Sequence, residues 1–486
     1  MRSLTGSRLD WAAALLLVLA TGAHAIPAFR RPVATLDEII VLDYPDVVSR
    51  GATPNVDFYT AYARLGYDFL GVWYRVLGYT LTSERLAGLL YQVAVVVGVW
   101  ALTRRFGDRI AIGSGLLCIV LMPTDLTAFA WLGGLALAVW SLVLVRSEAG
   151  RLSWMVGGLL AGLSVGWRYE MTLVVGLALL PFIWRHPRAP FVVMGGLAGF
   201  MPTALHLLDV GGAAWDNVSG RMGVNFQLEA SSVPVHVYLG LAVGSTALAG
   251  IAARAFMCRT REDWAWVLVC LAVLPQALQR IDVYHFGFAA VVIYPLAFAA
   301  GMDLARRWTD RLHVRLVASA LAILLTVPAL FLVGWVVTAS TRFETQSIAS
   351  GSRTITVRAD RAEATQALLD DVRDVVPPGS DLFVGTDQMG RTSFNSFPIY
   401  YLLSEDYRFP SYYLELAAGV AERDRSGLSD DIRSADALIL ATFDPEVGDR
   451  LFPFAPKGFT EHNQTVREHF EQVSTHGALT LYVRRS

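Results

Sequence analysis

Lysine is all but missing from this chain. Of its 40 cationic side chains only Lys457 is a lysine, and arginine supplies the rest. The bias fits a GC-rich genome better than a binding role. Cysteine is scarce too: Cys118, Cys258 and Cys270 fall in apolar runs or in a loop placed inside, and none lies beyond residue 340. No disulfide framework follows from that pattern. Charge of either sign is thin, at 17% of 486 residues, where a soluble domain carries about a quarter. With a net charge of −2, no basic surface for nucleic acid is expected.

The shortage of charge is uneven. Between residues 10 and 340 long apolar runs recur, and beyond 340 the charge density returns to that of a water-soluble domain. The composition therefore divides the chain into a membrane region, 1–340, and a water-facing domain, 341–486. A bilayer-spanning helix needs about 20 mostly apolar residues. Spans are expected near 10–29, 86–103, 109–123, 126–145, 152–168, 171–184, 190–208, 235–253, 263–279, 286–302 and 314–337, about 11 in all. The pair 152–168 and 171–184 is short, and reads also as two short helices meeting at a bend.

Arginine sets the orientation. Arg2 and Arg8 precede the first span, and Arg104, Arg105 and Arg109 follow the second. Arg146 and Arg151, then Arg185 and Arg188, then Arg254, Arg259 and Arg261, and finally Arg306, Arg307, Arg311 and Arg315 continue the series. Every second loop is arginine-rich, which places those loops and the N-terminus in the cytoplasm. The odd number of spans then places the C-terminal domain outside. A rival reading takes Arg2, Arg8, the run from Trp11 to Ala20 and "AHA" at 23–25 as a cleavable signal peptide; the loop after it lies outside either way.

That loop, between the first two spans, has about 55 residues, long enough to suggest a function. It opens with "ATLDEIIVLDYPDVVSRGATPNVDF", residues 34–58, which carries the acids Asp37, Glu38, Asp43, Asp46 and Asp57. "FYTAYARLGYDFLGVWYRVLG", residues 58–78, is aromatic and amphipathic. It reads as one or two helices lying on the membrane surface, with Trp73, Tyr74 and Tyr79 at headgroup level. The plain alternative is a solvated acidic loop with interfacial anchors.

These residues resemble a family. "DE" at 37–38, "SRGATPNVDF" at 49–58 and "VLG" at 76–78 look like the first outer loop of the GT-C glycosyltransferases, polytopic enzymes that use lipid-phosphate sugars. "GGLLAGLSVGWRYEMTLVVGLALLPFIW", residues 157–184, resembles that family's glycine-rich helix pair with a charged outer bend. "QRIDVYHFGFAAVVIYPLAF", residues 279–298, resembles its Arg-x-Asp-x-x-His entry into a late helix. The resemblance covers residues 1–340 and rests on the order and shared side of three individually weak motifs. It implies a GT-C-like α-helical polytopic membrane fold of about 11 transmembrane helices, followed here by an extracytoplasmic α/β domain over 341–486. It also implies a polyprenyl-phosphate sugar as donor and an envelope glycan, lipid or protein as acceptor.

The chemistry of such a transfer needs few protein groups. A carboxylate accepts the proton of the acceptor hydroxyl as the new carbon–oxygen bond forms, and cations stabilise the phosphate that leaves. From its position Asp37 is expected to be the base, with Glu38 and Asp57 in the same catalytic set; Asp43 and Asp46, acids beyond the family pattern, and Glu38 stay open as alternative bases. On the phosphate, Arg280 and His285 are expected, with Arg168 at the bend after the fifth span. The plain readings are ion pairs of Arg168 with Glu170 and of Arg280 with Asp282, and an ordinary interface histidine at 285. His206 and Asp209 share a helix face but read as a polar helix end rather than a metal site. Some GT-C members use a divalent cation and many do not, so no metal ligand is assigned. "NVS" at 217–219 matches a glycosylation sequon, a frequent chance pattern.

In the C-terminal domain, "RAEATQALLDDVRDVV" at 361–376 has helical spacing, and 381–385, 436–441 and 479–485 read as strands, so a small α/β domain is expected. "GTDQMG" at 385–390 lacks the spacing of a dinucleotide loop, so no nucleotide is expected there. "FPSYYLELAAGVAER" at 409–423 reads as core before it reads as a glycan-facing surface. A lipid or glycan transporter without sugar cleavage is the competing function. Transporters of that kind show internal repeats with broken helices, and no repeat is seen here. A non-catalytic scaffold leaves the first-loop acids unexplained.

Overall fold

The computed structural model describes residues 8–33, 37–123, 125–146, 149–225, 235–279, 283–307, 344–389, 397–416, 420–421, 426–442 and 460–485. Its helices are α1 (Arg8–Ala25), α2 (Asp37–Ser49), α3 (Arg64–Leu77), α4 (Leu81–Thr103), α5 (Asp108–Leu121), α6 (Ala130–Leu144), α7 (Arg151–Val165), α8 (Met171–Ile183), α9 (Ala189–Val210), α10 (Gly212–Asn225), α11 (Val235–Cys258), α12 (Arg261–Gln279) and α13 (Val283–Arg307), with shorter ones in the C-terminal domain. Helix occupies ten of the expected spans, and the last, 314–337, lies outside the described residues. Four stretches, Asp10–Arg30, Leu81–Phe106, Ala189–Val210 and His285–Arg306, are long and apolar enough to cross a bilayer, and α6, α7 and α8 are shorter apolar helices. The chain is an α-helical polytopic membrane protein with a small C-terminal sheet domain.

The chain divides into two compact units. One holds Met1–Phe29, Leu86–Leu205 and Val233–Ser340, and the other holds Arg30–Arg85, His206–Ser232 and Thr341–Ser486.

In the first unit, glycine lets helices approach backbone to backbone, the small-residue packing expected where apolar burial offers no drive. A Cβ on Gly158 or Gly162 of α7 would lie 2.1 Å from Val192 O and 2.2 Å from Gly196 O, and one on Gly195 or Gly199 of α9 would meet Met155 O at 1.9 Å and Leu159 O at 2.1 Å. Gly158 and Gly162 of the glycine-rich stretch 157–184 thus serve the α7–α9 contact, while Gly157 packs against Ser141 and Val145. α7 and α8 are short and meet at a bend over residues 166–170. α1 packs on α5, where a Cβ on Gly115 would touch Leu17 at 2.8 Å. Several arginines of the expected cytoplasmic loops are tied into a network. Asp263 accepts from Arg105 at 2.5 Å and also pairs with Arg254, which reaches Asp303 at 3.0 Å.

In the second unit, β1 (Thr345–Ser350) and β2 (Arg353–Arg358) form a hairpin whose turn uses Gly351 at φ +59°. A mixed sheet has the order β3-β4-β6-β5, with β3 (Leu382–Thr386) parallel to β4 (Ala437–Ala441), and β6 (Leu479–Arg484) antiparallel to both β4 and β5 (Phe470–His476). The expected helix appears as Ala359–Val375. The first-loop region is built into this unit. Tyr59 shares one buried core with Phe383, Met389, Tyr413, Leu416, Leu438 and Phe470, Tyr59 N–H donates to Tyr412 O at 2.7 Å, and Val33 N–H donates to Thr356 O at 2.7 Å. Tyr413 and Leu416 are core residues, as read from the sequence of 409–423.

Candidate functional site

The first-loop acids sit on or beside α2. Asp37 and Glu38 occupy its first turn, where the partial positive charge of a helix N-terminus favours carboxylates. Asp37 is half-buried and its Oδ1 accepts from the Tyr62 hydroxyl at 3.3 Å. Glu38 is buried, and Arg85 grips it side-on, Nε to Oε1 at 2.7 Å and Nη2 to Oε2 at 3.2 Å. Asp46 pairs with Arg50 at 2.5 Å. Asp57 is exposed and turns back on its own loop: its Oδ2 accepts from Thr53 N–H at 2.7 Å. That turn carries Gly51 at φ +105° and Asn55 at φ +65°, and it seats Phe58 against the Tyr44 ring, 4.8 Å between centroids.

α2 contains Pro45, which has no N–H to give Val41 O, the acceptor four residues back. The Tyr74 hydroxyl replaces it, donating to Val41 O at 2.7 Å. Tyr74 lies on the buried face of α3 with Gly66, Tyr67, Leu70 and Gly71, while Val72, Val76 and Leu77 are exposed. The amphipathic helix expected here is present, but Tyr74 and Tyr79 turn inward rather than toward headgroups. The reason is polar satisfaction, since each hydroxyl answers an acceptor on α2.

Asp43 is the acid furthest from water, 7% exposed. Tyr79 O–H donates to its Oδ1 at 3.0 Å, and its Oδ2 is buried without a hydrogen-bond partner. Burial pushes this carboxyl well above the usual value near 3.8, the Tyr79 hydrogen bond opposes the shift and Asp46 adds to it. A carboxyl raised on folding contributes most stability below its unfolded pKa and loses that contribution as pH rises toward the folded pKa. Asp43→Asn, which cannot titrate, is therefore expected to gain in Tm relative to wild type between pH 4 and pH 7. Thermal unfolding across that range checks this, and a pH-independent difference would refute a raised pKa at Asp43.

Asn217 of the sequon is 8% exposed, and its amide donates to Asn55 Oδ1 and Tyr412 Oη, both at 2.8 Å. Both amide protons are used inside the unit, so the sequon reading has no structural support. His206, at the end of α9, is buried. Among the described residues no group of three or more His, Cys, Asp or Glu side chains is placed to hold a metal ion.

Two expected phosphate-side residues, Arg168 and His285, belong to the other unit. Arg168 forms a two-point pair with Glu170, Nε to Oε2 at 3.2 Å and Nη2 to Oε1 at 2.9 Å, with its guanidinium carbon 5.8 Å from the Trp131 ring centre. His285 opens α13, half-buried, edge-on to Phe288 at 6.3 Å, and Phe288 in turn meets Phe129 at 5.0 Å. Arg280 and Asp282 lie outside the described residues. Arg85, Tyr62 and Tyr79 carry the first-loop acids yet were not singled out for that role from the sequence; the visible signal was an arginine at the start of an apolar span.

Solved structures align with the chain over nearly its whole length. ArnT from Cupriavidus metallidurans bound to undecaprenyl phosphate matches with a TM-score of 0.60 at 12% identity, covering 99% of each chain. The chain has the GT-C fold. ArnT in the apo state gives a TM-score of 0.59 at 12% identity over 98% of each chain. The Archaeoglobus fulgidus oligosaccharyltransferase in the apo form gives 0.56 at 11% identity, over 98% of this chain and 74% of that one. At such identities the likeness concerns the GT-C fold alone. No family model and no curated protein matches the chain.

Proposed function

We propose that this protein is a membrane glycosyltransferase that moves a sugar from a polyprenyl-phosphate donor to a hydroxyl of an envelope glycan, lipid or protein on the outer face of the membrane. In this reading the N-terminus is cytoplasmic, residues 341–486 form an extracytoplasmic α/β domain, and the exposed apolar side of α3 rests on the membrane surface. The GT-C fold supports the class, since ArnT was solved with undecaprenyl phosphate and the Archaeoglobus fulgidus oligosaccharyltransferase with a dolichol-phosphate.

One observation carries the choice of base. Of the five acids, Glu38 is closed by Arg85, Asp43 is buried, Asp46 is paired with Arg50 and Asp57 closes its own turn. Asp37 alone combines partial exposure with a single hydroxyl contact from Tyr62. Asp37 would take the proton of the acceptor hydroxyl while that oxygen bonds to the anomeric carbon; the carbon–phosphate oxygen bond breaks and its electron pair leaves with the lipid phosphate. Glu38 and Asp57 would hold the helix turn and the loop. Arg280 and His285 would bind the donor phosphate, with Arg168 as a further cation and Glu170 and Asp282 fixing the arginines. No step here is routed through a metal ion.

The test is reconstitution in proteoliposomes with labelled polyprenyl-phosphate sugars. Release of the sugar by transfer or slow hydrolysis is expected, whereas label crossing the bilayer on intact lipid would establish the transporter reading instead. Arg280→Ala is expected to raise the donor KM about tenfold or more, the value of a lost charge-assisted hydrogen bond; unchanged donor kinetics would remove Arg280 from the site.

A further inference from the structure

Tyr79 stands where three parts of the second unit meet. It lies in the link between α3 and α4, and its hydroxyl reaches Asp43 of α2 at 3.0 Å. Its ring lies beside Tyr74 at 5.6 Å, the residue that answers Val41 O of α2 at 2.7 Å. Its backbone carbonyl accepts twice from the C-terminal domain, from Arg353 Nη1 at 3.1 Å and from the Tyr401 hydroxyl at 3.1 Å. The Arg353 guanidinium carbon sits 3.9 Å from the centre of the Tyr79 ring and 5.2 Å from that of Tyr401, and Tyr401 meets Tyr79 edge-on at 5.4 Å. Arg353 and Tyr401 are both buried.

The position of this joint matters because of Pro45. A helix lacking one of its own hydrogen bonds is free to bend at that point, and its direction is then set from outside. The two outside contacts fall at Val41 and Asp43, about one and nearly two turns from Asp37. Arg353 is itself fixed. It begins β2 immediately after the Gly351–Ser352 turn, whose Ser352 N–H donates to Glu405 Oε2 at 2.9 Å, and Arg353 Nε lies 3.5 Å from Glu405 Oε1.

We propose that Arg353 and Tyr79 are positioning residues: acting through Asp43 and Val41, they let the C-terminal domain set the direction of the α2 turn that carries Asp37. The proposal deepens the transferase reading and rests on Asp37 as base. Two features point to a positioning role. Arginine, unlike lysine, can lie flat on a ring while donating to a carbonyl in its plane, so geometry is specified along with charge. The charged and titratable groups around Asp43 include Tyr79, Asp46, Arg353, Arg50, Tyr400 and Tyr401, and among the described residues Tyr79 alone gives it a side-chain hydrogen bond. The polar link from Arg353 to α2 therefore runs through Tyr79, alongside direct packing of the helix Phe397–Leu403 on α2.

Tyr79→Phe is the decisive variant, since it removes one hydroxyl and leaves the ring under Arg353. In full-length protein in proteoliposomes, Tyr79→Phe and Arg353→Lys are each expected to lower kcat for sugar transfer about 10–100-fold, as a displacement near 1 Å does, with donor KM unchanged within about twofold. The double variant should be no slower than the slower single one, because both act through one chain of contacts. Hydrogen exchange of the α2 peptide gives a readout that needs no substrate: protection over 37–44 should fall in Tyr79→Phe while that of β3 and β4 holds. Unchanged α2 protection, unchanged kcat in folded Tyr79→Phe, or additive losses would each overturn the proposal. Asp37→Asn run in parallel separates the two readings. If it stays active, the base assignment fails; if it is inactive while Tyr79→Phe keeps wild-type kcat, only the positioning role fails.

Discussion

Asp37→Asn is expected to lower sugar transfer about 100- to 10 000-fold, the range general base catalysis contributes, with donor KM little changed. The amide keeps the shape of the carboxyl and can still accept from Tyr62, so the first turn of α2 should hold. What it cannot do is take a proton from an attacking hydroxyl. The variant therefore separates placement from proton transfer more cleanly than alanine would. The measurement is initial rate against donor concentration in proteoliposomes, with Glu38→Gln and Asp57→Asn beside it. Asp57 lies on the surface and closes a turn through Thr53 N–H; an asparagine oxygen can do the same, so Asp57→Asn should retain most activity. If Asp37→Asn turns over like wild type while Asp57→Asn fails, the base is Asp57 and the assignment falls.

Much of the membrane region was legible because hydropathy and arginine placement are coarse signals that survive without tertiary knowledge. Each span from 10–29 to 286–302 coincides with a helix, and the short pair near 152–184 did fold as two helices meeting at a bend. The C-terminal strands seen in advance, β3, β4 and β6, are the apolar runs. β5 was missed because "FEQVSTH" has one buried residue, Phe470, among polar ones. The β1–β2 hairpin was missed although Gly351–Ser352 marks its turn, because its strands are polar on the exposed face. At the site, the acids were visible by type but their states were not. Asp37 and Glu38 are sequence neighbours, yet one is half-exposed and the other is sealed. That difference depends on Arg85, 47 residues away. Nor could sequence show that Pro45 leaves a carbonyl for Tyr74, or that Tyr79 turns from the headgroups to Asp43. Long-range partners decide these matters, and spacing along one chain does not encode them.

Removing either partner of the Glu38–Arg85 pair is the stability counterpart of the Asp37 experiment. The two side chains are 4% and 3% exposed and joined at two points. Deleting one leaves a buried charge without its counterion, a cost of about 3–5 kcal/mol. Glu38→Leu and Arg85→Met are each expected to lower Tm by many degrees, with the same order of loss in both. The double variant Glu38→Leu/Arg85→Met removes both charges at once and should recover most of that loss, since apolar replacement of a whole buried pair is often neutral or better. Thermal unfolding of the four proteins closes the cycle and isolates the pair's coupling. The cycle also bears on chemistry. If Glu38 only fixes the turn beside the base, the double variant should regain stability together with a measurable part of the transfer rate, at temperatures where all four proteins are folded. A double variant that is stable and wholly inactive would instead make Glu38 a participant in the reaction, and a cycle with no coupling would show that Arg85 does not hold it.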